Sequence, residues 1–444
     1  MSGTNAPSCD RYAYPQDLTD QVIARWHTFV ARHDLPAPPL PPPDVLRYIL
    51  ETAFIVSFAR EEGRDLRFVL CCSPSLTIPR EGNEGAIQLV PFRTPLPLSP
   101  DTLRSLAPCA SAANAALLVR VPEEDSRSTT CELAGVLNVG SHLARARSGR
   151  AFYQRPGPHA LIVDVRDAGE LHVYRGGVKL ATLKGGRLQE QLAYSGLEFL
   201  PISEILASGT DALQPRIRRP ASEPSRESAD FEWIALLNTI LCIVNGVKEH
   251  GHGGTVLLTT PEAASSLPVR PRFRVDAAQA IVSECFVSFV NARHRLTAAR
   301  AEYAATGSGR EGVSHLKNAT FVAEEALADA ADLTARLTAV DGALVLRADL
   351  AVEGFGAEIV FDPTQHVDVF EVTGHPMRSG PWPRIDPETF GMRHRSAIRC
   401  VATASNTAAF VVSQDGGVTF MWRQEDRVLI KRNVNTANPN MVGA

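Results

Sequence analysis

Two short motifs in this chain carry the residue types that polyphosphate chemistry uses. The first is Asp341-Gly342-Ala343, where a helical pattern gives way to a strand pattern. A carboxylate at a strand edge can hold a divalent cation, and the Gly-Ala behind it lets a flat ligand approach the backbone closely. The second is Gly391-Met392-Arg393-His394-Arg395-Ser396-Ala397, just ahead of an apolar run read as a strand. Two guanidinium forks pair with phosphate oxygens in bidentate fashion. An imidazole and a carboxylate, here His394 and Asp341, can share a metal that bridges the phosphates. Each motif also has a plainer reading. Asp-Gly-Ala makes ordinary turns, and Arg-His-Arg makes a solvated surface.

Such groups work only if rigid elements hold them, so the surrounding pattern matters. Phe231, Ile234, Leu237, Leu241, Val244 and Val247 follow one helical face, and Thr255–Thr259 reads as a strand. His250 and His252 flank Gly251, and a helix C-terminal cap region is preferred to a metal pair there. Ala278, Val282, Cys285, Phe289 and Ala292 mark a second helix. Residues 306–312 read as a flexible loop. A third helix runs over 318–339, with Val322, Ala326, Ala330, Leu333, Leu337 and Val340 on one face. Strands are expected at 343–347, 357–361, 398–403, 408–413, 418–422 and 428–431, the last four forming an antiparallel meander. The result is an α/β fold, a central mixed sheet flanked by helices, over residues 231–444.

The N-terminal part is organised separately. Residues 1–43 hold a short helix and a stiff proline-rich spacer, Leu35–Pro43. Residues 44–207 read as a second α/β domain, with a helix over 45–60 and strands at 67–72, 115–121, 160–165 and 171–174. Gly176-Gly177 and Gly185-Gly186 read as turns. Residues 208–230 are polar, with serines, arginines and prolines and almost no apolar period, and are expected to be a linker without order. No internal repeat is visible in the sequence.

In order and in motif, residues 231–431 resemble the diadenylate cyclase (DisA-N, or DAC) family. The elements that carry the resemblance are the helix 231–248, the strand 254–259, DGALVLR at 341–347, GMRHRSAI at 391–398 and AAFVVSQDGGV at 408–418. Members of that family condense two ATP molecules into the second messenger cyclic di-AMP, releasing pyrophosphate. The work is shared by two domains meeting face to face, so the resemblance implies a homodimer or a larger even homo-oligomer. It implies that Asp341 holds Mn²⁺ or Mg²⁺ and helps deprotonate the 3′-hydroxyl, and that Gly342 and Ala343 line the nucleoside pocket. Arg393, His394 and Arg395 would bind phosphate, His394 also near the metal, with Gly391 and Met392 beside the nucleotide. Ser413 would touch the nucleotide near the metal.

The chain departs from that family at three points. Met392 stands where a threonine is usual and cannot donate a hydrogen bond. Gln414 stands where a glutamate is usual; Asp415 beside it either serves the metal or makes a turn with Gly416-Gly417. The stretch 361–390 is longer than usual, with five prolines; a lid, a dimer contact and a surface loop are all open. A catalytically silent nucleotide or cyclic-dinucleotide sensor is the alternative these departures favour. Residues 48–70, with Glu61-Glu62-Gly63-Arg64, resemble the DACNV type of sensor domain that precedes some diadenylate cyclase domains. On composition alone the Glu-Glu-Gly-Arg run is a helix end.

Composition sets the outer limits. Of 444 residues, 44% are hydrophobic and 21% charged, which excludes a disordered chain, a collagen-like fibre and a coiled coil. A net charge of −4 gives no electrostatic case for nucleic-acid or membrane partners. No apolar run of membrane-spanning length and no secretory signal pattern is read, and none of the eight cysteines forms a CxxC pair. The expectation is a reduced, cytoplasmic protein.

Overall fold

The computed structural model describes residues 12–33, 40–61, 63–78, 88–110, 114–122, 130–139, 160–175, 178–188, 202–219, 225–276, 280–361, 367–373, 382–414, 416–434 and 436. The chain divides into two compact α/β units. The described residues of the first lie within 12–188, and those of the second within 202–436.

In the first unit, helix α1 (Pro15–His33) precedes α2 (Pro43–Ser57), whose first turn is set by proline. Strands follow at β1 (Phe68–Ser73), β2 (Gln88–Pro97), β3 (Ala115–Arg120), β4 (Glu132–Asn138), β5 (Leu161–Asp167), β6 (Glu170–Arg175), β7 (Val178–Lys184) and β8 (Arg187–Leu188), with the short helix α3 (Pro100–Leu106) before β3. They form one sheet in the order β8-β7-β6-β5-β1-β3-β4-β2. Alternate residues serve opposite faces, as the strand period requires. Leu70, Cys72, Leu117, Val119 and Val163 pack with Leu18, Trp26, Leu46 and Ile49 of α1 and α2. Val69, Cys71, Leu118, Ile162 and Tyr174 form a smaller core on the other face.

The second unit holds helices α4 (Ser203–Leu213), α5 (Ser225–Glu249), α6 (Ile281–Thr306), α7 (Arg310–Arg336) and α8 (Met392–Thr403). Its strands are β9 (Gly254–Thr259), β10 (Val269–Arg274), β11 (Ala343–Arg347), β12 (Val352–Ile359), β13 (Asp368–Glu371), β14 (Arg384–Ile385), β15 (Thr407–Val412), β16 (Val418–Gln424) and β17 (Arg427–Lys431). The sheet order is β10-β12-β11-β9-β15-β16-β17-β13-β14. Helix α8 buries Ala397, Ile398, Cys400 and Val401 against Leu257, Val345, Val411 and Met421 on one face. On the other, a side chain at Gly254 would meet Val247 of α5 and Thr338. Among the described residues one helix, Ser228–Glu249, is long and apolar enough to cross a membrane, but 78% of its apolar window is buried in the fold.

The two sheets repeat one design that the sequence does not announce. Strands β1 to β7 and strands β9, β10, β11, β12, β15, β16 and β17 occur in the same chain order and take the same neighbours. In each, the central pair (β1 with β3, β9 with β11) is parallel and all other neighbours among the seven are antiparallel. The match extends to single residues. Asn114–Arg120 (NAALLVR) aligns with Asp341–Arg347 (DGALVLR) without a gap. Both ladders slip register just after Leu118 and Val345, and those residues face Gly135 and Gly354; the second unit slips once more, between Ala343 and Val345, so Ala357 faces Ala343 where Leu137 faces Ala116. Each glycine is needed for the same reason: an added Cβ would lie 2.5 Å from Val90 O in β2, or 2.6 Å from Phe273 O in β10.

Several expectations are corrected. The described residues of the segment 208–230 are not a disordered linker: α4 runs through 203–213, and α5 already begins at Ser225. Sparse anchors achieve this, with Leu206 and Leu213 buried and Arg219 donating to the fully buried Glu232 carboxylate at 2.7 and 2.8 Å. The strand expected at 398–403 is the body of α8, so the meander has three strands, not four. Its buried residues fall at helical spacing, a period hidden by an apolar run. The loop 306–312 shrinks to 307–309, where Gly307 and Gly309 both take positive φ. The strand expected at 357–361 runs Val352–Ile359. On α7, Val322 and Leu333 are 65% and 54% exposed; the buried face is Glu324, Leu327, Ala331 and Ala335. Glu61 pairs with Arg64 in a short antiparallel ladder past the end of α2. Gly176-Gly177, most of the proline-rich spacer and much of 361–390 lie outside the described residues.

Candidate functional site

The candidate residues come from segments far apart in sequence that the sheet gathers at one end. Ala343 begins β11 beside Thr255 of the parallel strand β9, and Gly254 faces Val412 at the end of β15. Asp341, Gly253 and Ser413 therefore sit just beyond the same sheet end. Arg393, in the first turn of α8, reaches this end, and its Nη1 donates to the His252 carbonyl at 3.2 Å. Gly253 takes φ +65°, and a side chain there would lie 2.6 Å from Val412 O and 3.0 Å from that Nη1. The glycine leaves the gap that the guanidinium enters.

Gly342 plays a second such part. It takes φ +118°, and an added Cβ would lie 2.4 Å from the Gly356 carbonyl carbon in β12. This close approach folds the Asp341 turn across β12, with Gly356 itself at φ +60°. Asp341 is exposed. Met392 is 76% exposed at the start of α8, and Gly391 precedes it as the N-cap with no side chain to cap the helix. Ser413 N–H donates to Gly417 O at 2.9 Å, closing the turn after β15.

Other candidates are led elsewhere. Residues 393 and 395 lie about 200° apart around a helix, so the two guanidinium groups part. Arg395 Nη1 donates to Glu388 at 2.7 Å, and Arg399 shares that carboxylate at 2.9 Å. The His394 ring stacks on Phe390 at 5.5 Å, and its Nε2 lies 3.2 Å from the Thr419 hydroxyl in β16. Ala343, Thr255, Val411 and Thr419 form one row across four strands, so His394 is anchored about 14 Å of sheet from the Asp341 strand. The structure does not gather His394 and Asp341 onto one ion. Asp415 lies outside the described residues. Among the described residues, no cluster of three metal-ligating side chains occurs.

One residue escaped the sequence reading. Arg272 of the edge strand β10 faces Gly356, between the Pro271–Ala357 and Phe273–Phe355 pairs. A side chain at Gly356 would find Arg272 Cβ at 3.5 Å and Asp341 O at 3.4 Å. Arg272 thus flanks the Asp341 turn. The available signal was arginine at every second position of Val269–Arg274, the strand period.

The pattern at this end is one carboxylate, glycine-made space and a guanidinium, an arrangement suited to phosphate. Residues 35–136 match the family model described as a probable sensor domain, DACNV. No curated protein and no solved structure matches the chain. The family match spans α2 to most of β4, so the first unit carries a probable sensor domain.

Proposed function

We propose that the second unit is a diadenylate cyclase domain, condensing two ATP into cyclic di-AMP and pyrophosphate, and that the sensor domain regulates it. The observation that carries this reading is the meeting of Arg393, Gly253 and Ser413 at the sheet end that also bears Asp341. Each domain holds one ATP, so two domains must face each other, as a homodimer or larger even assembly. The 3′-hydroxyl oxygen of one nucleotide attacks the α-phosphorus of the other. The bond to pyrophosphate breaks, and the hydroxyl proton passes towards the Asp341 carboxylate. The second phosphodiester forms in the same way with the roles exchanged. Arg393 steadies phosphate oxygens, and Gly342 and Ala343 let the nucleoside lie against the backbone.

The donor set fits an ion that arrives with the nucleotide. Mg²⁺ typically takes one or two carboxylates and completes its shell with substrate phosphates and water, and Asp341 is an exposed carboxylate that would hold it. Mn²⁺ or Mg²⁺ held there would offset the phosphate charge that builds up during transfer.

A second reading, a silent nucleotide or cyclic-dinucleotide sensor, is favoured by the exposed Met392, which cannot donate a hydrogen bond, and the exposed Gln414, which supplies no carboxylate. The test incubates the full chain with ATP and Mn²⁺ and looks for cyclic di-AMP by mass spectrometry. Product from wild type but not from Asp341→Asn supports the cyclase. ATP binding without product at high protein concentration supports the sensor. Absence of both removes the site.

A further inference from the structure

We infer that Arg272 binds phosphate oxygens of the nucleotide, forming a second guanidinium arm of the site across the Asp341 turn from Arg393. The inference deepens the proposed function and rests on it. Its own support comes from comparing the two units.

At this corner the repeated design differs in a concerted way. From the aligned strand leads, Leu137 faces Ala116 and Ala357 faces Ala343, so the pairs Leu89–Leu137 and Pro271–Ala357 occupy the same place; between that place and the Gly135 or Gly354 pair the second unit has one residue more on each outer strand, and Arg272 opposite Gly356 lies in this added step. With the aligned strand leads, four positions can be compared. The first unit has Leu89, Leu137, Ala115 and Asn114. The second has Pro271, Ala357, Gly342 and Asp341, with Arg272 and Gly356 added beside them. In the first unit the corner is filled: Leu137 is 1% exposed and Leu89 packs against the same core. In the second, the buried Ala357 is smaller than the leucine, Gly342 replaces an alanine, the added step brings a guanidinium opposite a glycine, and the amide becomes a carboxylate. Space, positive charge and a carboxylate arrive together, which is what binding a metal-bridged phosphate requires.

Arg272 is also free to act. It is exposed, with its guanidinium over the Phe273 ring at 5.3 Å. Among the described residues neither it nor Asp341 takes part in an ion pair. Arg270 and Arg274 project to the same side of the strand, but Arg270 stands directly opposite Glu358. Arg272 stands opposite a glycine and so keeps its charge uncompensated. Charges on an edge strand also discourage strand pairing between molecules. That role is met by Pro271 and by any charge on β10, and it asks nothing of Gly356.

The test is isothermal titration of the full chain with ATP and, separately, with adenosine, both in Mg²⁺, with unfolding temperature as the check on folding. Arg272→Ala should weaken ATP binding at least about tenfold and leave adenosine within about twofold, because a charge-assisted contact to phosphate is lost. Arg272→Lys should fall between, since it keeps the charge but not the fork. Arg47→Ala, on the surface of α2, should match wild type. If wild type binds ATP and Arg272→Ala binds it equally well, the inference is wrong while the proposed function stands. Equal weakening of ATP and adenosine would refute a phosphate role. If wild type binds neither ligand, the proposed function fails and Arg272 with it.

Discussion

The two units use one seven-strand frame for different ends, and they differ in where each places its polar groups. The first unit buries them within its sheet. His172, 5% exposed, lies 2.8 Å from Glu170, whose other oxygen meets Lys184 at 2.9 Å, and Thr182 approaches the far side of the ring at 3.3 Å. Asp164, fully buried, accepts from Arg166 at 2.8 Å. Among the described residues, the second unit's sheet buries threonines but no charged side chain, and its buried ion cluster lies among the helices, where Glu232 meets Arg219, Gln214 and His294 at 2.7 to 2.9 Å. Its sheet end is left open and charged. A frame set by strand order and a few glycines therefore tolerates either a sealed or an open corner.

The comparison can be broken in several places. The largest effect is expected from Asp341→Asn, which should lower cyclic di-AMP formation by about three orders of magnitude with folding unchanged, because an exposed carboxylate is replaced by its isostere. Formation at the wild-type rate would leave the second unit with no more chemistry than Asn114 gives the first. Next comes Glu232→Gln. Breaking a buried charge cluster costs about 3–5 kcal/mol, so thermal unfolding of the second unit should drop well below that of the first. A change under about 0.5 kcal/mol would mean the cluster is idle. Gly342→Ala should cost about 1–3 kcal/mol, from the forced positive φ and the contact with Gly356, and should also disable the site.

The pH response should separate the units. Burial holds His172 down to about 3, against the pull of its Glu170 hydrogen bond. The native ring stays neutral while the unfolded one takes up a proton below about 6.5, so the first unit loses stability as pH falls from there towards 3. Burial raises the Glu232 carboxyl, but hydrogen bonds from Arg219, His294 and Gln214 outweigh it and bring it to about 2. The unfolded carboxylate binds protons first, so this contribution to the second unit is lost only between about pH 4.5 and 2. Hydrogen exchange at pH 5 should therefore show the first unit loosened relative to pH 7 and the second little changed. The reverse order would contradict the assignment. The smallest effect is expected at Met392, whose exposure predicts that Met392→Ala shifts stability by less than about 0.5 kcal/mol in thermal unfolding.

Much of this was legible in the sequence, and the failures have physical causes. Strands such as Phe68–Ser73 and Gly254–Thr259 are buried on both faces and read as continuous apolar runs. The Asp341 turn was found because Gly342 sits at a helix-to-strand junction. Helix α8 was missed because Ala397–Val401 is nearly all apolar on the side that matters, and a short run cannot reveal its period. Reading Gly391–Ala397 as the lead into a strand let Arg393 and Arg395 serve one site, where the helix sends them apart. Helix α4 was missed because a few buried leucines and one ion pair, formed only in the folded chain, anchor a polar segment. The repeat was invisible because strand order and backbone contact are conserved between the units while most side chains are not. Arg272 needed the register, since nothing in Val269–Arg274 says which residue it faces.

The central claim is that the open corner of the second unit, and not its sealed counterpart, receives a nucleotide. Hydrogen exchange of the full chain with and without Mg²⁺-ATP tests it residue range by residue range. Protection should appear at 252–259, 338–347 and 391–396 and be absent from 114–120 and 160–167. Protection confined to 114–120 and 160–167, or none at the open corner at saturating ATP, would contradict it.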